Sequence, residues 1–319
     1  PNNEELKWYK EYLSQNRFLS KEFIDEQILR NPSYNLMNAL QRAVLALYSF
    51  DENPDEVTLF NVLKQSLNLI AKIPTMMAYT YLSKINFYKN KDIQLYEPKK
   101  EYSTAENLLY LIRGNNNFTS KEAETLDLAL VLHADHGGGN NSSFTNYVIS
   151  SSGTDTYSAI AASIGSLKGP KHGGANKKVV EMMEYISEAI GIDPTDEEIK
   201  EILRKILKKQ AFDQSGLIYG MGHAVYTTSD PRAILFKEKA YELAEEKNLL
   251  EAYYLFTRVE ELTKVVLKEL KGENFVICAN VDFYSGLIYS MMEIPAELFT
   301  PLFAVARIVG WCALRMEQI

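Results

Sequence analysis

The chain has only four histidines, His133, His136, His172 and His223, and glycine lies beside three of them. Histidine titrates near neutrality and can donate a hydrogen bond or a proton. Glycine lets a backbone approach a ligand and adopt positive φ. His172 in "GPKHGGAN" and His223 in "GMGHAVY" therefore sit where chemistry is easier to place than packing. The competing reading is a turn histidine at a helix end. Asp282 in "NVDFYSG" is a further acid–base candidate, after the apolar "FVICA" (275–279) and before a helical pattern. Apolar surroundings raise a carboxyl pKa, which suits a general base. Equally, Asp282 could cap a helix starting near Phe283, worth about 1 kcal/mol.

The run "VLHADHGGGNNSS" (131–143) leaves three chemistries open: a metal site, an oxyanion loop, or a pocket for a small anion. Zinc needs three or four converging ligands, yet no H-E-x-x-H occurs and Cys278 and Cys312 are remote. A metal-dependent hydrolase would have to use His133, Asp135, His136 and His172. A lipase-type His-Gly-Gly-Gly loop needs a G-x-S-x-G elbow on a strand-to-helix turn, and none is present. A Walker-type phosphate loop is absent too.

The elements that must position these residues read as helices. Thr195 and Glu198 form a capping box. Ile199, Ile202, Leu203, Ile206 and Leu207 follow at i, i+3, i+4, i+7 and i+8, one apolar stripe. Further helices are expected over 4–15, 33–50, 55–87, 104–112, 120–134, 154–167, 175–190, 231–246, 249–270, 283–292 and 296–316. The best strand signal is the short "FVICA". The fold class is mainly α. Denser charge between about 173 and 290 suggests a smaller, more exposed domain inserted into a larger one.

The 319 residues are 46% apolar and 24% charged, which supplies a core for one large domain or two modest ones. A net charge of −8 excludes nucleic acid as the main partner. No apolar run reaches about 18 residues, so no transmembrane helix and no membrane partner are expected. Pro1-Asn2-Asn3-Glu4 is no signal peptide. Two distant cysteines read as reduced thiols of a cytoplasmic protein. The missing initiator Met raises the expectation of a trimmed chain or a fragment.

Four segments, "LHADHGGGNNSSFT", "GSLKGPKHGGAN", "GMGHAVYTTSDPRA" and "NVDFYSG", resemble in this order the signature segments of the citrate synthase family. The helix "FTPLFAVARIVGW" (299–311) resembles the segment that follows them, so the likeness spans about 130–312. The resemblance implies a multi-helical homodimer with a large domain (1–172 and 292–319) and a small one (173–291) that closes on oxaloacetate. It implies a Claisen-type condensation of acetyl-CoA with oxaloacetate, then hydrolysis of citryl-CoA to citrate and CoA, a step of the tricarboxylic acid cycle. Asp282 would remove a methyl proton, His172 would hydrogen-bond the thioester oxygen, and His223 would polarise the oxaloacetate ketone. His136, Asn140, Arg232 and Arg307 would hold oxaloacetate. The backbone of Leu217, Ile218, Tyr219, Gly220, Met221 and Gly222 would receive the CoA adenine. No metal and no cofactor beyond the CoA substrate is implied.

The residue types suit those roles. A thioester α-proton is very weakly acidic, and a donor aimed at the developing oxyanion commonly contributes about 3–4 kcal/mol. Arginine binds carboxylates with paired hydrogen bonds. Arg307 in an apolar helix is either a snorkelling arginine or an anion ligand, and the ligand is expected. Two departures stand out. Thr227 replaces the basic residue with which many relatives meet CoA phosphates, leaving Lys168, Lys171, Lys177 and Lys178 as nearby cations. Relatives also continue past Ile319 into an Arg-Pro segment that reaches the partner's oxaloacetate site. The nearest alternative substrate is propionyl-CoA, giving 2-methylcitrate, since one methylene is worth only about 1–3 kcal/mol of discrimination. An inactive domain that only dimerises is another.

Overall fold

The structure is a computed structural model, describing residues 2–169, 172–223, 226 and 228–319. Helices dominate it, and the chain divides into two compact units: Pro1–Gly173 with Thr300–Ile319, and Gly174–Phe299. Lys171 and Thr227 lie outside the described residues.

The first unit carries α1 (Asn3–Asn16), α2 (Lys21–Phe23), α3 (Leu36–Ala46), α4 (Leu59–Lys89), α5 (Thr104–Arg113), α6 (Ser120–His133), α7 (Asn141–Ser150) and α8 (Thr156–Leu167). Capping boxes start α1, α5 and α6 through Asn2/Glu5, Ser103/Glu106 and Thr119/Glu122. Each satisfies two N–H groups that a helix start otherwise leaves unbonded. α4 keeps its course for 31 residues despite the buried Pro74. α8 packs on α3 and α7. Gly165 permits the first contact, since a Cβ there would lie 2.6 Å from Gln41.

Most of α14 (Phe299–Glu317) returns to this unit. By length and mean hydropathy (1.5) the stretch Ala296–Glu317 could cross a membrane, contrary to the sequence expectation. Within the protein 72% of its most apolar window is buried, as in a core helix. Two buried arginines show why α14 is held there. Arg307 Nε donates to His133 O (2.7 Å), at the end of α6. Arg315 donates to Ser150 O (3.3 Å) at the end of α7 and to Thr154 O. Hydrogen bonds to a charged group contribute about 1.5–3 kcal/mol each, and these also satisfy carbonyls a helix end leaves open.

The second unit holds α9 (Ala175–Ile190), α10 (Asp196–Leu207), α11 (Pro231–Glu246), α12 (Leu250–Lys271) and α13 (Val281–Met291). The Thr195/Glu198 box forms, and Ile199, Ile202, Leu203 and Ile206 are buried as the stripe requires. α13 packs on α9 and α11 and buries residues on all sides. A Cβ at Gly286 would lie 2.8 Å from Val180 and 2.9 Å from Asn176 O, so glycine sets how closely α13 approaches α9.

Two local expectations need correction. "FVICA" forms no strand, and among the described residues there is one isolated antiparallel bridge, Met221 with Ala279. The pairing ends where α13 begins. Asn141–Ser150, unassigned from the sequence, is helical. Its exposed Phe144 and Val148 give no clean apolar stripe.

Candidate active site

In the first unit the glycine run links α6 to α7. His133 ends α6 and is buried (1% exposed). Its Nδ1 donates to Ala129 O at 2.8 Å, and its ring meets Phe303 edge-on at 4.8 Å. It is built into the core, where a metal ligand would need an open nitrogen. Among the described residues no three His, Cys, Asp or Glu side chains gather as a metal site would require. His136 follows, half-buried, ahead of the three glycines. They are not equivalent. Gly137 has φ +75°, Gly138 faces the Tyr147 ring with a prospective Cβ contact of 2.8 Å, and a Cβ at Gly139 would meet nothing within 4 Å. α14 presses on this loop, because a Cβ at Gly310 would strike Ala134 O and lie 3.1 Å from Asp135 Oδ1.

Asn140 is the N-cap of α7, and its Oδ1 accepts from Ser142 N–H (3.3 Å) and Ser142 Oγ–H (2.7 Å). The same Ser142 N–H also donates to His172 Nε2 (3.3 Å), with Ser142 Oγ 3.0 Å from that nitrogen. The hydroxyl can turn its proton toward either acceptor, but an amide can only donate. Nε2 of neutral His172 is therefore an acceptor and Nδ1 carries the proton. Burial, then the positive charge of Arg307, pulls the His172 pKa below the ordinary 6.5. The N-terminus of α7, a partial positive charge, works in the same direction. His172 is thus a half-buried neutral imidazole whose Nδ1–H can serve as a donor. Its own N–H donates to Gly169 O (2.9 Å), and Thr300 Oγ1 donates to Gly173 O (2.7 Å), fixing both sides of the turn.

Arg307 is fully buried, with its guanidinium 4.7 Å from the centre of the Phe303 ring. The snorkelling reading is excluded. A guanidinium at this depth needs compensation; the His133 carbonyl and the ring face supply part of it.

In the second unit Gly220, with φ +77°, is doubly required: a Cβ would lie 2.8 Å from both Val179 and Phe283. Gly222 has φ +96°, and the chain from Gly220 to Gly222 is bound to the start of α13. Gly222 N–H donates to Cys278 O (2.7 Å), Asn280 N–H to Gly220 O (2.8 Å), and Asn280 Nδ2 to Gly222 O (2.8 Å). Within the proposed CoA stretch, Met221 N–H donates to Ile218 O (3.2 Å) and Tyr219 OH to Asp213 (2.7 Å), while Leu217 is exposed.

His223 follows Gly222. Its Nδ1 faces Tyr226 N–H at 3.0 Å. Arg232 Nη2 lies 3.3 Å from its Nε2. An amide and a guanidinium can only donate, so donors face both ring nitrogens and these contacts select no tautomer. Asp230 caps α11 and chelates Arg232 with 3.0 and 2.8 Å bonds to Nε and Nη2. Burial works against the Asp230 charge, but its Arg232 hydrogen bonds outweigh it and hold the carboxyl below its ordinary range. Burial lowers the His223 pKa, with Asp230 opposing and Arg232 reinforcing the shift.

Asp282 is half-buried on the first turn of α13 between the buried Val281 and Phe283. It is not the cap of that helix. Asn280 is, accepting Asp282 N–H on its Oδ1 at 3.0 Å. The capping role that the sequence left open for Asp282 thus falls to Asn280.

The structure thus brings His172, Asn140 and Arg307 together in the first unit, and His223, Arg232 and the start of α13 in the second. Ser142, Tyr226, Asp230 and Asn280 were missed. Asp230 and Asn280 carried readable signals: Asp before Pro is an N-cap followed by an N1 proline, and Asn280 precedes a helical run. Ser142 and Tyr226 act through backbone N–H groups, which no side-chain pattern reveals. Of the lysines near the site, Lys168 and Lys177 are exposed, and Lys178 pairs with Glu181 at 2.8 Å.

The whole chain, residues 1–319, matches the family model described as citrate synthase, C-terminal domain. It is 35% identical to citrate synthase of Haloferax volcanii over 322 residues, covering all of this chain and 78% of that protein. Among solved structures it is similar to citrate synthase of Pyrobaculum aerophilum, with a TM-score of 0.82, 31% identity, and 99% and 75% of the two chains covered. It is also similar to citrate synthase of Thermoplasma acidophilum, solved as a ternary complex with carboxymethyl coenzyme A and oxaloacetate, at a TM-score of 0.80, 25% identity, and 99% and 77% coverage. The chain belongs to the citrate synthase family.

Proposed function

We propose that this enzyme condenses acetyl-CoA with oxaloacetate and hydrolyses the citryl-CoA formed. The observation that carries the reading is the half-buried His172 imidazole, drawn toward the neutral form with its proton on Nδ1, together with a His223 ring set beside the Arg232 guanidinium. The Asp282 carboxylate takes a methyl proton from the thioester. The C–H electrons become the enol double bond while the thioester oxygen gains charge against His172 Nδ1–H. The enol carbon then attacks the oxaloacetate ketone, whose oxygen develops charge against His223. Water cleaves the thioester of citryl-CoA, releasing citrate and the CoA thiol. Donors fixed before the reaction stabilise both oxyanions without reorganising. His136, Asn140, Arg232 and Arg307 hold the two oxaloacetate carboxylates, and the turn Leu217–Gly222 receives the adenine. The scheme requires no metal, because each developing charge already faces an N–H donor.

Thiol release from acetyl-CoA tests this, with and without oxaloacetate, in wild type and Asp282→Ala. Release that depends on oxaloacetate and falls by about 10²–10⁴ in the variant is expected for loss of a general base. Unchanged release in the variant removes Asp282 from its role. A preference for propionyl-CoA in the same assay turns the reading to 2-methylcitrate synthesis. Assembly as a homodimer is part of the proposal. Leu59, Phe60 and Leu63, 57%, 79% and 39% exposed on one face at the start of α4, supply apolar surface for it. Sedimentation equilibrium at monomer mass would remove the dimer.

A further inference from the structure

The mechanism gives Asn280 no role, yet its backbone and both ends of its side-chain amide are hydrogen-bonded within this unit. Its backbone N–H donates to Gly220 O (2.8 Å). Its Nδ2 donates to Gly222 O (2.8 Å), in the residue before His223. Its Oδ1 accepts the N–H of Asp282 (3.0 Å). One amide therefore spans the loop that ends in the ketone-polarising histidine and the helix start that carries the base. Both ends need such help. Gly222 lies at φ +96°, a conformation with little intrinsic preference over its neighbours. Among the described residues the sheet-type pairing of the two segments is a single isolated bridge, Met221 with Ala279, of which the Asn280 N–H bond to Gly220 O is part.

We propose that Asn280 is a positioning residue that fixes the His223 imidazole relative to Asp282. The inference rests on the roles proposed above for those two residues. The two ends of the amide do separable work. Oδ1 caps α13, a function that Asp or Ser can replace. Nδ2 holds Gly222 O, a function neither can replace in kind: aspartate would set a second acceptor against that carbonyl, and serine is too short to serve both partners. Small displacements are expensive in rate, since about 1 Å of misplacement can lower it about 10²-fold.

Asn280→Asp and Asn280→Ser separate positioning from stability, because both keep a cap on α13. Three quantities are read on the dimer as purified: thermal midpoint, kcat with KM for oxaloacetate, and the infrared stretch of the oxaloacetate ketone when bound. In wild type the ketone band should lie at lower frequency than in free oxaloacetate, because His223 polarises it. In both variants we expect kcat to fall about 10- to 100-fold, the bound ketone band to move back toward the free position, and the thermal midpoint to stay within a few degrees of wild type. A residue that merely supported the fold would lower the midpoint and leave the band of bound oxaloacetate in place. That outcome, or an unchanged kcat and band in both variants, overturns the proposal. A wild-type enzyme without a band shift and without oxaloacetate-dependent thiol release overturns the proposed function itself, and the positioning role with it.

Discussion

His172 and His223 are both drawn toward the neutral form, and they are held differently. In the first unit Ser142 N–H occupies His172 Nε2 and leaves the proton on Nδ1. In the second, Tyr226 N–H faces His223 Nδ1 while the Arg232 guanidinium faces Nε2, so donors meet both ring nitrogens. Their surroundings differ as much. His172 has no carboxylate among the causes of its shift, only burial and the Arg307 charge, both of which disfavour imidazolium. His223 feels Asp230, which favours the charged ring, against burial and Arg232. A backbone amide cannot change from donor to acceptor, so at His172 it selects a tautomer more firmly than a rotatable hydroxyl. Two histidines with one intrinsic pKa thus differ in setting: one has a fixed donor nitrogen, the other lies between two donors.

The largest expected effect comes from replacing each ring by an amide that imitates only one of its nitrogens. Asparagine can place a donor near the Nδ1 position, glutamine near Nε2. His172→Asn should keep more activity than His172→Gln, whereas the corresponding His223 variants should differ less, because donors face both nitrogens of that ring. Loss of a donor at a developing oxyanion is worth about 10²–10³ in kcat, so the order at His172 should be measurable by steady-state kinetics. The same order and size of effect at both positions would break the contrast between the two sites.

Asp230→Asn comes next. The Asp230 side chain has no exposed surface and that of Arg232 has 13%. Breaking a buried ion pair by removing one partner costs about 3–5 kcal/mol, and the asparagine retains the cap and one hydrogen bond, so about 2–3 kcal/mol is expected by denaturant titration. KM for oxaloacetate should rise, because Arg232 is no longer held beside His223. An Asp230→Asn enzyme with wild-type stability and KM would make the pair dispensable.

The contrast also predicts how acid acts. For a histidine whose folded pKa is depressed, the unfolded chain takes up the proton first as pH falls below about 6.5. The associated stability is present above that value and lost progressively as pH falls through the folded pKa. Both histidines contribute in that window. The depressed Asp230 contributes stability present above the ordinary carboxyl value of 3.8 and lost only below it. Unfolding free energy measured from pH 8 downward should therefore fall in two stages. In His172→Asn the upper stage should shrink; no change there would mean that His172 titrates alike in the folded and unfolded chain.

The helices that frame both sites were legible because their stripes and caps are local. Four of the five α10 stripe residues, Ile199, Ile202, Leu203 and Ile206, are buried, with Leu207 half-buried at the helix end, and the Thr195/Glu198 box forms. Ordered polar motifs around His172, His223 and Asp282 were equally legible. What escaped notice depends on contacts distant in sequence or on main-chain groups. α7 lacks an apolar stripe, and its own start at Asn140 lies inside a glycine-rich run that reads as loop. "FVICA" has strand composition, but its partner is a three-residue turn, so pairing cannot extend. Arg307 was singled out by its apolar neighbours, whereas its bond to His133 O joins residues 174 positions apart.

The smallest effects lie in the glycine run, where three like residues meet different constraints. Gly137 sits at φ +75° with open space around it, and Gly139 has the same open space without the positive φ. A side chain at positive φ costs about 1–2 kcal/mol. At an ordinary backbone position, replacing glycine by alanine instead stabilises by about 0.4–1 kcal/mol, through the entropy of the unfolded chain. Gly137→Ala should therefore lower stability and Gly139→Ala should raise it slightly, although the residues are two apart in one exposed loop. The difference, about 2 kcal/mol, is readable as a shift in the denaturant midpoint at constant slope. Gly138→Ala is a third case, since its Cβ would lie 2.8 Å from the Tyr147 ring and its sign depends on whether that ring can move. Equal stability of the Gly137 and Gly139 variants would mean that the loop relaxes out of the positive-φ turn, and with it the spacing between His136 and the Asn140 cap.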